Sequence, residues 1–256
     1  MFDMSSLQGR IATGLASLPI TDEQWEDDQA PILAENLPRL TAMVQASRET
    51  PEGAILDVGF GYGYSASALR SAYPERPLMV LEHPSRELIR QPVWNRLLRA
   101  VDAAGVAADA LSLPFREESF GVVAACELVE HLSPADAPRL ISEAVRVLRR
   151  GGVLLVTTPN LVSLSNRLLI GAGRSPLSMP TERSGCVFGH LREYTVGEIE
   201  GLLAWAGLDG TGATTVPRLS QGGMWHWRVI RRAESFLWRG GARGVGGFIV
   251  AWGRKP

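Results

Sequence analysis

From residue 53 onward the chain alternates short apolar runs with stretches of helical periodicity, the texture of repeated βα units around a parallel sheet. The apolar runs are Ala54 to Val58, Leu78 to Leu81, Gly105 to Ala108, Gly121 to Cys126 and Gly152 to Thr157. Between them Ser65 to Ala72, Ser85 to Ala103 and Ala135 to Arg149 read as helices, the last with Leu140, Ile141, Ala144, Val145 and Leu148 along one face. The segment Arg149-Arg150-Gly151-Gly152 is expected to stop that helix, with basic groups at its negative end and glycine at its exit. Thr195 to Glu198 has capping-box spacing for a helix running to Ala206, and Thr211 to Val216 and Phe248 to Trp252 complete the strand candidates.

Three stretches fit this repeat poorly. Residues 22 to 48 place Trp25, Ile32, Leu33, Leu37, Leu40 and Val44 at roughly helical spacing, interrupted by Pro31 and Pro38, and read as two or three short helices. Residues 160–190 are loop-rich around one short helix, and 217–247 combine Trp225, Trp227 and Trp238 with Arg228, Arg231 and Arg232. Both are candidate substrate-side inserts. The aromatic face of the second is expected to pack on the core; a lid over an apolar substrate and a helix touching a membrane or lipid-linked acceptor are the alternatives. The pattern thus divides the chain into an N-terminal helical cap, residues 1–50, and an α/β domain, residues 51–256.

Composition narrows the function more than the fold. The formal charge of the 256 residues is −1 and no block of Lys or Arg occurs, so the electrostatic footprint of a nucleic-acid binder is missing and a small-molecule partner is expected. The N-terminus shows no apolar run suited to a signal peptide or a membrane span, which makes the cytoplasm the expected location. Cys126 and Cys186 are too few to staple a chain of this size and are not spaced as metal ligands, so neither a disulfide nor a metal site is expected.

The segment Ile55-Leu56-Asp57-Val58-Gly59-Phe60-Gly61-Tyr62-Gly63-Tyr64 carries the most chemistry. A strand ends with an acid and passes through three alternating glycines into a helix, so backbone can approach a ligand where N–H groups point outward. The dinucleotide fingerprint would need glycine where Tyr64 stands, and Asp57 would repel a pyrophosphate; a cofactor with an ammonium group suits it better. Glu82 ends the second apolar run, where a carboxylate can accept both hydroxyls of a ribose. Asp109 and Ala110 follow the third, where the acid could meet an adenine amino group and the Ala110 N–H a ring nitrogen.

These residues, in order with the phrase Cys126-Glu127-Leu128-Val129-Glu130-His131-Leu132, resemble the class I S-adenosylmethionine (SAM) dependent methyltransferases. Arg149 to Asn160 looks like that family's fifth strand and loop, and Gly189-His190-Leu191-Arg192-Glu193-Tyr194-Thr195 like the segment before its last large helix. The resemblance implies a Rossmann-like, doubly wound, seven-stranded sheet, mostly parallel with an antiparallel last strand. It also implies SAM as cofactor, leaving S-adenosylhomocysteine as product, with Asp57, Gly59, Gly61, Gly63, Glu82, Asp109, Ala110 and Cys126 in the cofactor site. Gly121 departs from the aspartate usual ahead of the fourth strand, where a local hydrogen bond is the expected loss.

His131 and His190 lie where the C-terminal edge of such a sheet would place a substrate, and either could take a proton from a hydroxyl or amine; packing roles are the plain alternative. Glu130 and Glu193 share that ambiguity, and Cys126 reads as packing more than as a nucleophile. The expected activity is methyl transfer to an O, N or C nucleophile of a small molecule such as a sugar, glycan precursor or specialised metabolite. An NAD-dependent oxidoreductase and a non-catalytic SAM-binding partner protein are the alternatives.

Overall fold

The computed structural model describes residues 4–19, 29–176, 190–218, 225–242 and 244–256. Seven strands form one sheet: β1 (Ala54–Val58), β2 (Leu78–Glu82), β3 (Ala104–Ala107), β4 (Phe120–Cys126), β5 (Leu148–Pro159), β6 (Asp209–Val216) and β7 (Phe248–Arg254). Their spatial order is β3-β2-β1-β4-β5-β7-β6. The first five are parallel, and β7 lies antiparallel between β5 and β6. Strand order reverses at β1 and β4, and the region beyond the carboxyl ends of these two strands is where doubly wound sheets bind ligands.

The helices are α1 (Met4–Ala16), α2 (Gln29–Ala46), α3 (Tyr64–Ala72), α4 (Pro92–Ala100), α5 (Asp136–Val147), α6 (Leu164–Gly171), α7 (Val196–Trp205) and α8 (Trp225–Arg239). The period-two alternation of the strands sends residues to two cores. Ile55, Val122, Ala124, Val153 and Leu155 join one cluster with Leu7, Ile11, Leu40, Met43, Leu69 and Leu97 from the first four helices. Leu56, Val58, Val123, Leu154 and Val156 join the other, with Leu140 and Ile141 of α5 and Ile199 and Leu203 of α7. The capping box expected at Thr195 is present, its side chain and that of Glu198 each bonded to the other's backbone.

Four expectations are corrected. The segment holding Pro31 and Pro38 is one helix, α2, within the described residues, while residues 20–28, Trp25 included, lie outside them. Pro31 falls in the first turn, where no intrahelical donor is lost. Burial of Leu40, Met43 and Val44 offsets the hydrogen bond missing at Pro38. The stretch from Ser85 to Ala103 is split into a 3₁₀ turn, Glu87–Arg90, and α4, because Pro92 forces Gln91 into an extended conformation (φ −94°, ψ 149°).

The helix expected to reach Arg149 stops at Val147, and Leu148 (φ −67°, ψ 142°) already pairs with Phe120 as the start of β5. Finally, within the aromatic insert the side chains of Trp225 and Trp227 lie outside those described, while Val229, Phe236, Leu237 and Trp238 of α8 are exposed instead of packed on the core. Residues 177–189, including Cys186, and 219–224 lie outside the described residues.

Gly121 is explained by its neighbours. A Cβ there would fall 2.7 Å from the Pro51 carbonyl oxygen and 2.6 Å from an Arg76 guanidinium nitrogen. Among the described residues no helix is long and apolar enough to cross a membrane.

Candidate functional site

The chain leaves β1 through a turn in which Gly59, Gly61 and Gly63 adopt left-handed backbone, with φ of 80°, 53° and 81°. The amides of Gly59 and Phe60 both donate to the Leu81 carbonyl, at 2.9 and 3.0 Å, which fastens the turn to β2. Gly63, at the head of α3, has no room for a side chain, since a Cβ would lie 3.0 Å from the Phe60 ring. At Gly61 the situation is the reverse: the nearest atom to a Cβ is the Gly59 carbonyl oxygen at 3.9 Å. That position is open on the protein side, as close approach by a ligand requires.

Asp57 is fully buried beneath this turn, facing the start of α3. The Ser65 hydroxyl donates to its Oδ2 at 2.7 Å, while Oδ1 has no hydrogen-bond partner among the described residues. Burial pushes the carboxyl up to about 7; the Ser65 hydrogen bond opposes the rise, the negative charge of Glu82 adds to it, and Arg39 and the nearby Ala66 amide oppose it. A buried carboxylate with an unfilled oxygen fits a cationic group of the cofactor, and the ammonium of SAM would supply one.

Glu82 is also buried, and it is already engaged. The Gly61 amide donates to Oε2 at 2.8 Å, the His83 amide donates to Oε1 at 2.9 Å, and the Arg86 guanidinium stands 4.0 Å away. A carboxylate offers about four lone-pair directions, so two remain for ribose hydroxyls. Asp109 is exposed just past β3, its Oδ1 accepting the Leu111 amide at 2.9 Å, and Ala110 beside it is half-buried. The Ala108 amide donates to the Glu82 carbonyl at 3.1 Å, which brings this turn beside the tip of β2.

The side chain of Cys126 packs, as its sequence context suggests. Its thiol is buried 3.3 Å from the Met43 sulfur, and burial pushes it up to about 12, so the side chain packs the floor of the site. Next to it lies a polar cluster that sequence reasoning missed. Arg39, reaching in from α2 and 3% exposed, donates to the Thr157 hydroxyl at 2.8 Å and pairs with Glu127 at 3.1 Å. Glu127, partly exposed, holds left-handed backbone (φ 50°) although it is not glycine, a strained conformation at a residue tied to Arg39 and Thr157. An arginine in an amphipathic stretch reads as solvated; no local pattern announces that α2 carries it under the sheet edge.

On the opposite face of the same edge stands Glu130, fully buried. The Thr158 hydroxyl donates to its Oε2 at 3.0 Å, and its carboxyl is held well above the usual carboxylate range, chiefly by burial and then by the charge of Glu127. The amides of Leu191 and Arg192 donate to the Glu130 carbonyl at 2.8 and 3.2 Å, which brings His190 to His131. The two imidazoles meet edge to face with centroids 5.2 Å apart. His190 Nδ1 lies 3.1 Å from Glu193 Oε1. The structure therefore gathers Glu130, His131, His190 and Glu193 into one cluster and Asp57, the glycine turn and Glu82 into another, while Asp109 stays at the solvent edge.

Residues 56–156 match the methyltransferase domain family. Over 155 residues the chain is 31% identical to a Mycolicibacterium smegmatis protein described as a probable S-adenosylmethionine-dependent methyltransferase, covering 60% of this chain and 51% of that one. It is 32% identical over 142 residues to the sarcosine/dimethylglycine N-methyltransferase of Halorhodospira halochloris, covering 53% of this chain and 48% of the relative. The matches thus span about half the length of these relatives. The fold is similar to that of a SAM-dependent methyltransferase from Thermotoga maritima, with a TM-score of 0.58 at 20% identity over 92% of this chain and 98% of the other.

Proposed function

We propose, from the match of residues 56–156 to the methyltransferase domain family, that the chain transfers a methyl group from SAM to an O, N or C nucleophile of a small molecule. The observation that carries this reading is Asp57: fully buried, with one oxygen unfilled, beneath a glycine turn whose backbone is open to a ligand at Gly61. Glu82 would take the ribose, and Asp109 with the Ala110 amide the adenine.

The donor's sulfonium already activates the methyl group, so the protein's main task is alignment, worth effective molarities of about 10⁵–10⁸ M. We assign His131 and His190, which meet edge to face, as acid–base groups for the acceptor, a role worth about 10²–10⁴-fold. The acceptor class we favour is a sugar, glycan precursor or specialised metabolite. The near-neutral charge fits such a partner better than nucleic acid, and the free buried thiol of Cys126 fits the reducing cytoplasm. Titration with SAM, followed by a screen of hydroxyl- and amine-bearing acceptors for S-adenosylhomocysteine release, tests the proposal. Turnover that falls in His131→Ala at unchanged SAM affinity is the expected signature of an acceptor-side role.

A further inference from the structure

A carboxylate oxygen of Glu130 and one ring nitrogen each of His131 and His190 lie within 4.8 Å of one another. Glu130 is 0% exposed, and its Oε1 has no hydrogen-bond partner among the described residues. A buried carboxyl oxygen without a partner is costly, and a bound cation would supply one and favour the ionised form. Cys126 and Cys186 are not spaced as metal ligands, but thiolates are not the only donors in the chain. Two imidazoles with one carboxylate form a different donor set, suited to divalent first-row transition ions and leaving coordination positions open.

The surroundings support the same reading. Glu193 stands 3.1 Å from His190 Nδ1, and the Asn166 amide lies 3.5 Å from the other Glu193 oxygen. An imidazole steadied through one nitrogen by a carboxylate is how metal-bound histidines are oriented. Ligands of a zinc-sized ion stand roughly 3–3.5 Å apart, so the triad has to contract by about 1–2 Å on binding.

We propose that Glu130, His131 and His190 bind a divalent first-row transition ion whose open positions take an oxygen of the methyl acceptor. The ion makes a coordinated hydroxyl more acidic. The hydroxyl proton passes to solvent and the oxygen lone pair forms the O–CH₃ bond. The CH₃–S bond breaks with its pair on sulfur, leaving a methyl ether, S-adenosylhomocysteine and one proton. The two histidines then share one task instead of acting as separate bases. The ion's role toward the acceptor rests on the methyltransferase reading; the metal site does not.

The test is titration of chelator-stripped full-length protein with Mn²⁺ alone, followed by loss of the free-ion electron paramagnetic resonance signal, and separately with Zn²⁺ in competition with a chromophoric chelator. Circular dichroism reports the fold and calorimetry the affinity for SAM. One ion per wild-type chain is expected, with at least tenfold weaker uptake in His190→Ala and Glu130→Gln and SAM affinity unchanged. If Glu130→Gln does not fold, His131→Ala, at an exposed position, carries the same expectation. A wild type that takes up neither ion, or histidine variants that bind as wild type does, overturns the site. Metal uptake without SAM binding supports the site and counts against the methyltransferase reading.

Discussion

The Gly61 amide donates to Glu82 Oε2 at 2.8 Å, so the turn after β1 and the tip of β2 are held together by one charge-assisted hydrogen bond. The same carboxylate is the group assigned to the cofactor ribose. Under that proposal one side chain would both shape the glycine turn and offer acceptors to what binds there.

Glu82→Ala removes both. SAM affinity is expected to fall by about 1.5–3 kcal/mol, roughly tenfold to a hundredfold, in a protein that still folds. Titration calorimetry beside circular dichroism measures this. Affinity within error of wild type would take Glu82 out of the site.

Gly61 separates ligand approach from protein packing. A Cβ there meets nothing of the protein within 3.9 Å, so the cost to the fold is confined to the left-handed backbone, about 1–2 kcal/mol. Gly61→Val is expected to keep a cooperative melting transition while losing detectable SAM binding. Retained binding would mean that the cofactor does not approach this turn.

Asp57 makes stability depend on pH. Its folded carboxyl sits at about 7 against an ordinary 3.8, so its contribution is fully present below about 4 and is lost as pH rises through about 7. The melting temperature of the ligand-free wild type should therefore fall relative to Asp57→Asn between pH 5 and 8. Binding of a cation at Asp57 favours the ionised form, so SAM affinity should rise over that interval with release of a proton, visible as a buffer-dependent calorimetric enthalpy. Parallel pH profiles for wild type and variant would contradict this account of Asp57.

Arg39 is buried between Thr157 and Glu127, and Arg39→Met takes away the charged partner of Glu127, leaving it the Thr157 hydroxyl at 3.0 Å. Because Glu127 is partly exposed, the expected cost is about 2–4 kcal/mol, a drop of roughly 5–15 °C in melting temperature. Arg39→Met combined with Glu127→Gln should recover part of it. A single variant melting at the wild-type temperature would show the pair to be energetically idle.

The strands were legible because parallel strands covered on both faces are continuous apolar runs, and β1 falls where its run predicts. The glycine turn was legible because left-handed backbone limits which residues can stand there. Arg39 and the meeting of Glu130 with His190 were not, since they depend on how α2 crosses the sheet and on the amides of Leu191 and Arg192 reaching the Glu130 carbonyl. Local spacing carries no record of such contacts. The end of α5 was misplaced for a related reason: pairing of Leu148 with Phe120 in the sheet prevails over the helical pattern at that residue.

The measurement closest to the central claim is calorimetric titration of the purified chain with SAM and with S-adenosylhomocysteine. Saturable binding of both at one site per chain, micromolar or tighter and lost in Gly61→Val, is the expected result. A folded protein that binds neither would contradict the assignment of the Asp57 and glycine-turn site to that cofactor.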